Sequence, residues 1–400
     1  MTDLPAFPMP RGCPLDPPAE LVELAARRPI GRVQIWDGST PWLVTRHEDV
    51  RAVLADRRFS SDPGNPGFPG QSQVSKFRRE HSKGSFLTMD DPEHSRYRRM
   101  LVAEFTVRRI ELLRPLIVES VTGLIEEMAS GPNPADLVSA FALPLPSLVI
   151  CHLLGVPYAD HEFFQEHSRK MLDATGDPAE ALRAGKQLVG YLYGLVKAKE
   201  ANPGDDLLSR LIDARLRTGE LTHREVTSMA TLLLVAGHET TANQLALGVA
   251  ALLRDPALAT RLREATDPGV VNGAVEEMLR LLTITHFGRR RVATEDIELN
   301  GTLIKAGDGV IAAADIANRD PDTFADPDTF DPARTPNRHV AFGFGVHQCL
   351  GQPLARLELQ IAFPALLRRF PDLHLAADLD EIAFRDQLPI YGPKTLPVSW

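Results

Sequence analysis

The chain has 400 residues, enough for a large buried core, and carries a net charge of −9. That acid excess, with an isoelectric point near 5.8, argues against general nucleic-acid binding. Its three cysteines, Cys13, Cys151 and Cys349, lie far apart with no CxxC pair, which excludes a disulfide scaffold and a thiolate zinc site.

The first segment, Met1 to Pro18, is rich in proline and has no apolar run, so neither a secretory signal nor a membrane anchor is expected. A soluble protein of the reducing cytoplasm fits that and the unpaired thiols. Prolines and glycines (32 and 28) are spread along the chain without a linker, repeat or low-complexity block. Residues 1–400 therefore read as a single domain.

Arg32 to Thr45 predicts a hairpin, because two apolar runs flank the turn dipeptide Asp37-Gly38. His47 to Asp56 reads as a helix, and the proline- and glycine-rich Ser60 to Gly70 as an irregular loop. Asp90-Asp91-Pro92-Glu93 marks a helix start, with an aspartate cap and proline in the first position. His94 and Arg98 follow four apart and share one face. Helical segments alternate with turns from Pro115 to Ile212, with a strongly apolar stretch at Phe141 to Leu154 and a break at Thr175 to Pro178.

Thr222, an N-cap, to about Leu253 is the longest helical pattern, and its apolar flanks make it a core-crossing helix. Ala236-Gly237-His238-Glu239-Thr240-Thr241 interrupts that apolarity at the centre. An acid and two hydroxyls there need a reason. Gly237 would let a flat ligand lie against the backbone. Thr240 can bond the carbonyl four residues back, loosening the helix to make room for a small ligand. Further on, Glu277 and Arg280 are three apart and can pair. Leu282 to Phe287 should run extended, and Asn300-Gly301 and Gly307-Asp308-Gly309 mark turns between short strands. Near the end, Gly392-Pro393 predicts the turn of a final hairpin whose tip, around Ile390 and Tyr391, could touch a ligand.

The decisive stretch is Ala341 to Arg356. Three glycines in nine residues force a tight loop, and Leu350, Leu354, Leu357 and Ile361 then fall on one helical face. Cys349 arrives at that helix start, where unpaired backbone N–H groups stabilise a thiolate. Gly345 and Gly351 leave the sulfur open to a bulky partner. Phe342 would screen it from water, and His347 would bond an anionic group nearby. A screened, one-sided thiolate suits the axial bond to a haem iron.

Phe342, Gly345, His347, Cys349 and Gly351 resemble the haem-binding loop of the cytochrome P-450 family of haem-thiolate monooxygenases, and the resemblance spans essentially the whole chain. It implies a mainly α fold with small β regions (α+β), with haem b between the Thr222 to Leu253 helix and the Cys349 loop. It further implies Cys349 as the iron ligand, and His94, Arg98 and Arg291 as propionate contacts beside His347. Ala236 and Gly237 would face the haem, and Glu239 and Thr240 would be the acid and alcohol that deliver protons during dioxygen activation. Glu277, Arg280 and Arg334 would form a structural ion-pair cluster. Arg289 and Arg290 are left as possible surface charges, and no proline occupies Leu282 to Phe287, where many members carry one.

The same resemblance implies NAD(P)H-derived electrons delivered by a ferredoxin and its reductase, with Arg96, Arg99, Arg108 and Arg109 as a basic docking patch. A monomer acting on a hydrophobic small molecule is expected: a macrolide, other polyketide, terpene or steroid-like compound. Two rival readings are a non-catalytic haem sensor and a hydrolase or transferase using Cys349 with His347 as base. The sensor needs no buried acid and alcohol, and the hydrolase needs no His94, Arg98 or Arg291. Peroxide-driven hydroxylation is disfavoured by the Glu239-Thr240 pair.

Overall fold

The computed structural model describes residues 4–81 and 85–400. The N-terminal part contributes α1 (Ala19–Arg27), β1 (Ile30–Arg32), β2 (Trp42–Val44), α2 (His47–Ala55), β3 (Phe59–Ser60) and α3 (Gln73–His81). A helical body follows with α4 (Glu93–Val102), α5 (Val107–Glu111), α6 (Arg114–Ser130), the short strand β4 (Ala135–Asp136), α7 (Pro144–Leu154), α8 (His161–Leu172), α9 (Pro178–Ala201) and α10 (Leu207–Leu211). The remainder is α11 (His223–Arg254), α12 (Pro256–Glu264), α13 (Pro268–Leu281), β5 to β8 between Arg289 and Ala312, α14 (Ala314–Ala317), α15 (Gln352–Arg369), β9 (His374–Leu375) and β10 (Pro397–Ser399).

α11 organises the helical body. Thr222 caps it through a complete capping box, its hydroxyl taking the Glu225 amide while Glu225 returns to the Thr222 amide at 2.7 Å. Its 32 residues cross the core, where Leu234, Leu245, Leu247 and Val249 are buried. Each such side chain stabilises the fold by about 1.5–3 kcal/mol. No helix among the described residues is long and apolar enough to cross a membrane.

A five-stranded sheet in the order β1-β2-β8-β5-β3 forms the smaller β region. The predicted first hairpin is present, with Gly31 opposite Leu43. β2 then pairs parallel with β8 (Gly309–Ala312), and β8 pairs antiparallel with β5 (Arg289–Ala293), setting Arg289 opposite Ala312 and Arg291 opposite Val310. β6 (Ile297–Leu299) and β7 (Thr302–Ile304) turn at Asn300 and Gly301, both left-handed at φ +46° and +74°, as a two-residue hairpin requires.

Two expectations shift in detail. α4 has Pro92 as its N-cap, and Asp91 caps from one position further out by accepting the Ser95 amide at 3.1 Å. The final hairpin turns before Gly392, which sits in the returning arm and accepts from the Arg385 amide at 2.9 Å. Tyr391 is therefore not at a tip facing ligand: it is buried, its ring 4.2 Å beneath the Arg11 guanidinium and 5.2 Å from the His286 ring.

Behind the cysteine loop lies a satisfied charge cluster. Glu277 and Arg280 are fully buried and pair through two bonds of 2.7 and 2.8 Å. Arg334 adds a third contact at 3.1 Å, and Asn337 and the Asp331 amide complete the carboxylate. Arg280 spends its remaining N–H groups on the carbonyls of Asn318, Pro327 and Thr329.

Candidate functional site

α11 carries a gap in its burial. Leu233, Leu234, Val235, His238 and Thr241 are buried, but Leu232 and Thr240 are half-buried and Ala236 is exposed. Residues 232, 236 and 240 share one helical face, so that face borders open space. Thr240 donates to the Ala236 carbonyl at 2.7 Å, as its sequence position suggested. The helix nevertheless runs unbroken from His223 to Arg254, so this bond does not loosen it. With its proton committed, the Thr240 oxygen offers lone pairs to whatever enters the space. Glu239 lies beside it, 15% exposed. Gly237 has a different neighbour from the one expected. A Cβ there would come within 2.8 Å of Ile150 on α7, so the glycine serves helix packing.

The cysteine loop is held from several sides. The Cys349 amide donates to Phe342 at 2.8 Å, and the Val340 amide donates to Asn318 at 2.7 Å. Gly345 has φ +72°, and a Cβ would sit 2.5 Å from the Leu54 carbonyl, so the close approach of α2 requires glycine there. Nothing lies within 4 Å of where a Gly351 side chain would begin, which leaves that side open. Phe342 is half-buried under the Arg356 guanidinium at 4.6 Å. Arg356 in turn is gripped by Glu276 at 2.6 and 2.9 Å, and His339 adds 3.0 Å. This clamp joins positions 80 residues apart, and no local pattern announced it.

α15 begins at Gln352, three residues beyond Cys349. Burial pushes the Cys349 thiol up, while Arg289, the Gly351 amide, Arg98 and Arg356 pull it back. The helix-start argument is thus outweighed by burial in the protein alone.

His94, Arg98, Arg291 and His347 converge beside this loop. The His94 and His347 rings stand 4.0 Å apart, and Arg98 donates to the Gln348 carbonyl at 2.6 Å. Burial, followed by Arg291, His94 and Arg98, drives His347 down to about 3. Burial also lowers His94. The buried Nδ1 of His347 has no hydrogen-bond partner, and that of His94 has only the Asp91 carboxylate, 3.6 Å away. Such a cationic, under-bonded cradle calls for an anionic ligand, and the two carboxylates of haem fit it.

Arg289 and Arg290 are not surface charges. Arg290 is buried and donates to the carbonyls of Pro69 (3.2 Å) and Gly70, pinning the Ser60 to Gly70 loop. Arg289 is half-buried alongside the cysteine loop, its Nε 4.0 Å from where a Gly343 side chain would begin. Strand alternation from Arg291 was the signal that could have placed it. Leu282 to Phe287, expected to run extended, forms no strand and ends in a turn, the Gly288 amide donating to the Thr285 carbonyl at 3.4 Å. His286 turns away from open space, bonding Leu388 at 2.7 Å in a site that drives it down to about 4, mainly by burial.

The basic patch is partly neutralised. Arg96 meets Glu225 and Arg109 meets Glu104, at 3.3 and 3.5 Å. Arg99 and Arg108 remain exposed, with no ion pair among the described residues. Where α3 meets the turn between α8 and α9, Arg78 donates to Met171 at 2.7 Å. The cleft left there holds about 30 Å³, room for a water but not for a substrate.

The cytochrome P450 family pattern matches residues 16–375. Cytochrome P450-SU2 of Streptomyces griseolus is 52% identical over 97% of this chain and 95% of its own. Pentalenic acid synthase of Streptomyces avermitilis is 50% identical over 99% and 97%. The crystal structure of mycinamicin VIII C21 methyl hydroxylase from Micromonospora griseorubida, bound to mycinamicin VIII, superposes with a TM-score of 0.93 at 43% identity, over 99% of this chain and 100% of that one. Agreement of sequence, fold and cysteine loop over nearly the full length leaves one assignment: this chain belongs to the cytochrome P450 family and is a haem-dependent monooxygenase.

Proposed function

We propose that the 400 residues work as one domain that hydroxylates or epoxidises a hydrophobic natural product, and that the Cys349 sulfur would hold the iron of haem b. Haem supplies reductive activation of dioxygen, with one oxygen atom passing to the substrate. His94, Arg98, Arg291 and His347 bind its carboxylates, and Phe342 and Arg356 cover the cysteine loop. Ala236 borders the cavity, and the Gly351 position leaves the approach to the sulfur clear.

The observation that carries this reading is the open stripe on α11, where a hydroxyl and a carboxyl border the exposed Ala236 position in the middle of a core helix. Thr240 holds a water by accepting its hydrogen bond, and Glu239 supplies protons to that water. Thr240→Ala should preserve haem binding and first reduction, because alanine suits the helix. Product per NAD(P)H should fall severalfold while hydrogen peroxide rises. Glu239→Gln should instead slow NAD(P)H consumption and product together. If Thr240→Ala couples as well as the parent, the hydroxyl is structural and the assignment fails.

The relatives motivate the substrate class: one is named for mycinamicin VIII hydroxylation, another as pentalenic acid synthase, and a third fold neighbour was crystallised with filipin I. A ligand-induced spectral-shift screen over macrolides, other polyketides and terpenes tests it, and absence of any shift across these classes would refute it. Electrons arrive from a ferredoxin and its reductase, in the cytoplasm, at a face that includes Arg99 and Arg108. Arg99→Glu should slow reduction most at low salt; a salt-independent rate would count against this docking face.

A further inference from the structure

β5 carries three consecutive arginines, and strand alternation separates them. Arg290 turns one way, to the carbonyls of Pro69 and Gly70. Arg289 and Arg291 turn the other way. Arg291 donates to the Arg290 carbonyl at 2.8 Å, but no described residue pairs with or accepts from the Arg289 guanidinium. Its Nε lies 4.0 Å from where a Cβ on Gly343 would sit, alongside the cysteine loop.

Nearby acids do not neutralise it. Asp90 is committed to Ser60 and Ser61, and Asp91 to Ser95, Arg57 and His94. A half-buried guanidinium without a counter-charge is costly when a ligand closes over it. The surroundings of bound haem remove that cost. Arg98, Arg289 and Arg291 contribute three positive charges. Opposite them stand two carboxylates and an iron–thiolate centre that is neutral when ferric and singly negative when ferrous. The sum is therefore +1 before reduction and zero after it. Without Arg289 it would pass from zero to −1.

We propose that Arg289 is a third arginine directed at the haem carboxylates and that it raises the reduction potential of the iron–thiolate centre. Arg289 acts through the haem surroundings, as a positioning and tuning residue, and the proposal rests on Cys349 being the iron ligand.

Arg289→Gln should lower the midpoint potential of the holoenzyme, measured by spectroelectrochemistry, by about tenfold in the ferrous-to-ferric ratio, or about 59 mV for one electron. Arg289→Lys keeps the charge and should stay close to the parent. An Arg289→Gln ratio within about twofold of the parent overturns the proposal. If Arg289→Gln does not retain haem, haem titration of the apo-proteins decides. Weaker binding in the glutamine variant with near-parent binding in the lysine variant supports it, and equal loss in both overturns it. The underlying assignment fails separately: Cys349→Ala with an unchanged thiolate-type carbon monoxide spectrum would dismiss Cys349, whatever Arg289 does.

Discussion

Two groups of arginines near the cysteine loop differ in how their hydrogen bonds are completed. At Glu277 each carboxylate oxygen and each Arg280 N–H group finds a partner within the chain. Around His94, Arg98, Arg289, Arg291 and His347, the His347 Nδ1 is orphaned, the His94 Nδ1 has only Asp91 at 3.6 Å, and no described acid pairs with Arg289. Glu277 and Arg280 are fully buried, whereas Arg98 and Arg289 are half-buried, so the second group is also the more open one. The first is finished by folding, and the second needs a ligand.

Breaking the finished group should have the largest effect. Glu277→Gln leaves Arg280 and Arg334 without a counter-charge and should cost about 3–5 kcal/mol in chemical unfolding. A loss under ~1 kcal/mol would mean the cluster is not a folding element. Glu276 comes next. Burial alone raises its carboxyl, yet His339 and Arg356 hold it at about 2 against an ordinary 4.5. A depressed folded value stabilises above the unfolded value and is lost as pH falls. Acid unfolding between pH 4.5 and 2 should therefore draw on this group, by at most about 3 kcal/mol, and Glu276→Gln should flatten that limb.

The unfinished group should respond in the opposite sense. Arg291→Ala should leave the haem-free protein as stable as the parent or slightly more stable, since it removes an unneutralised charge. Haem affinity should fall by about tenfold, or roughly 1.4 kcal/mol. Thermal melts of the apo-protein with haem titration check both halves. Equal destabilisation with and without haem would erase the distinction between the groups.

How much of this could be read in advance depended on range. α11 was legible from its cap and apolar flanks, and the cysteine loop from its glycine spacing, because both are local. Arg289 was misread because three adjacent charges look solvated until β5 pairs with β8 and assigns them faces. Gly237 was misread because Ile150, its reason, lies far away in sequence. The Glu276–Arg356–His339 clamp was invisible for the same reason, and the exposed stripe on α11 emerged only once the flanking residues were packed.

The short helix α4 has a consequence for the geometry of the slot. Tyr97 donates to Glu225 at 2.6 Å, at the capped start of α11, and the adjacent Arg98 donates to Gln348 at 2.6 Å, in the cysteine loop. Neighbouring side chains thus brace the two walls between which a flat macrocycle fits. The helix acts as a shim: it sets the spacing of those walls through contacts inside the chain, so the slot has its width before anything is inserted. Shortening one strut, as in Tyr97→Phe, would change the tolerance of the slot without touching a residue assigned to the cofactor.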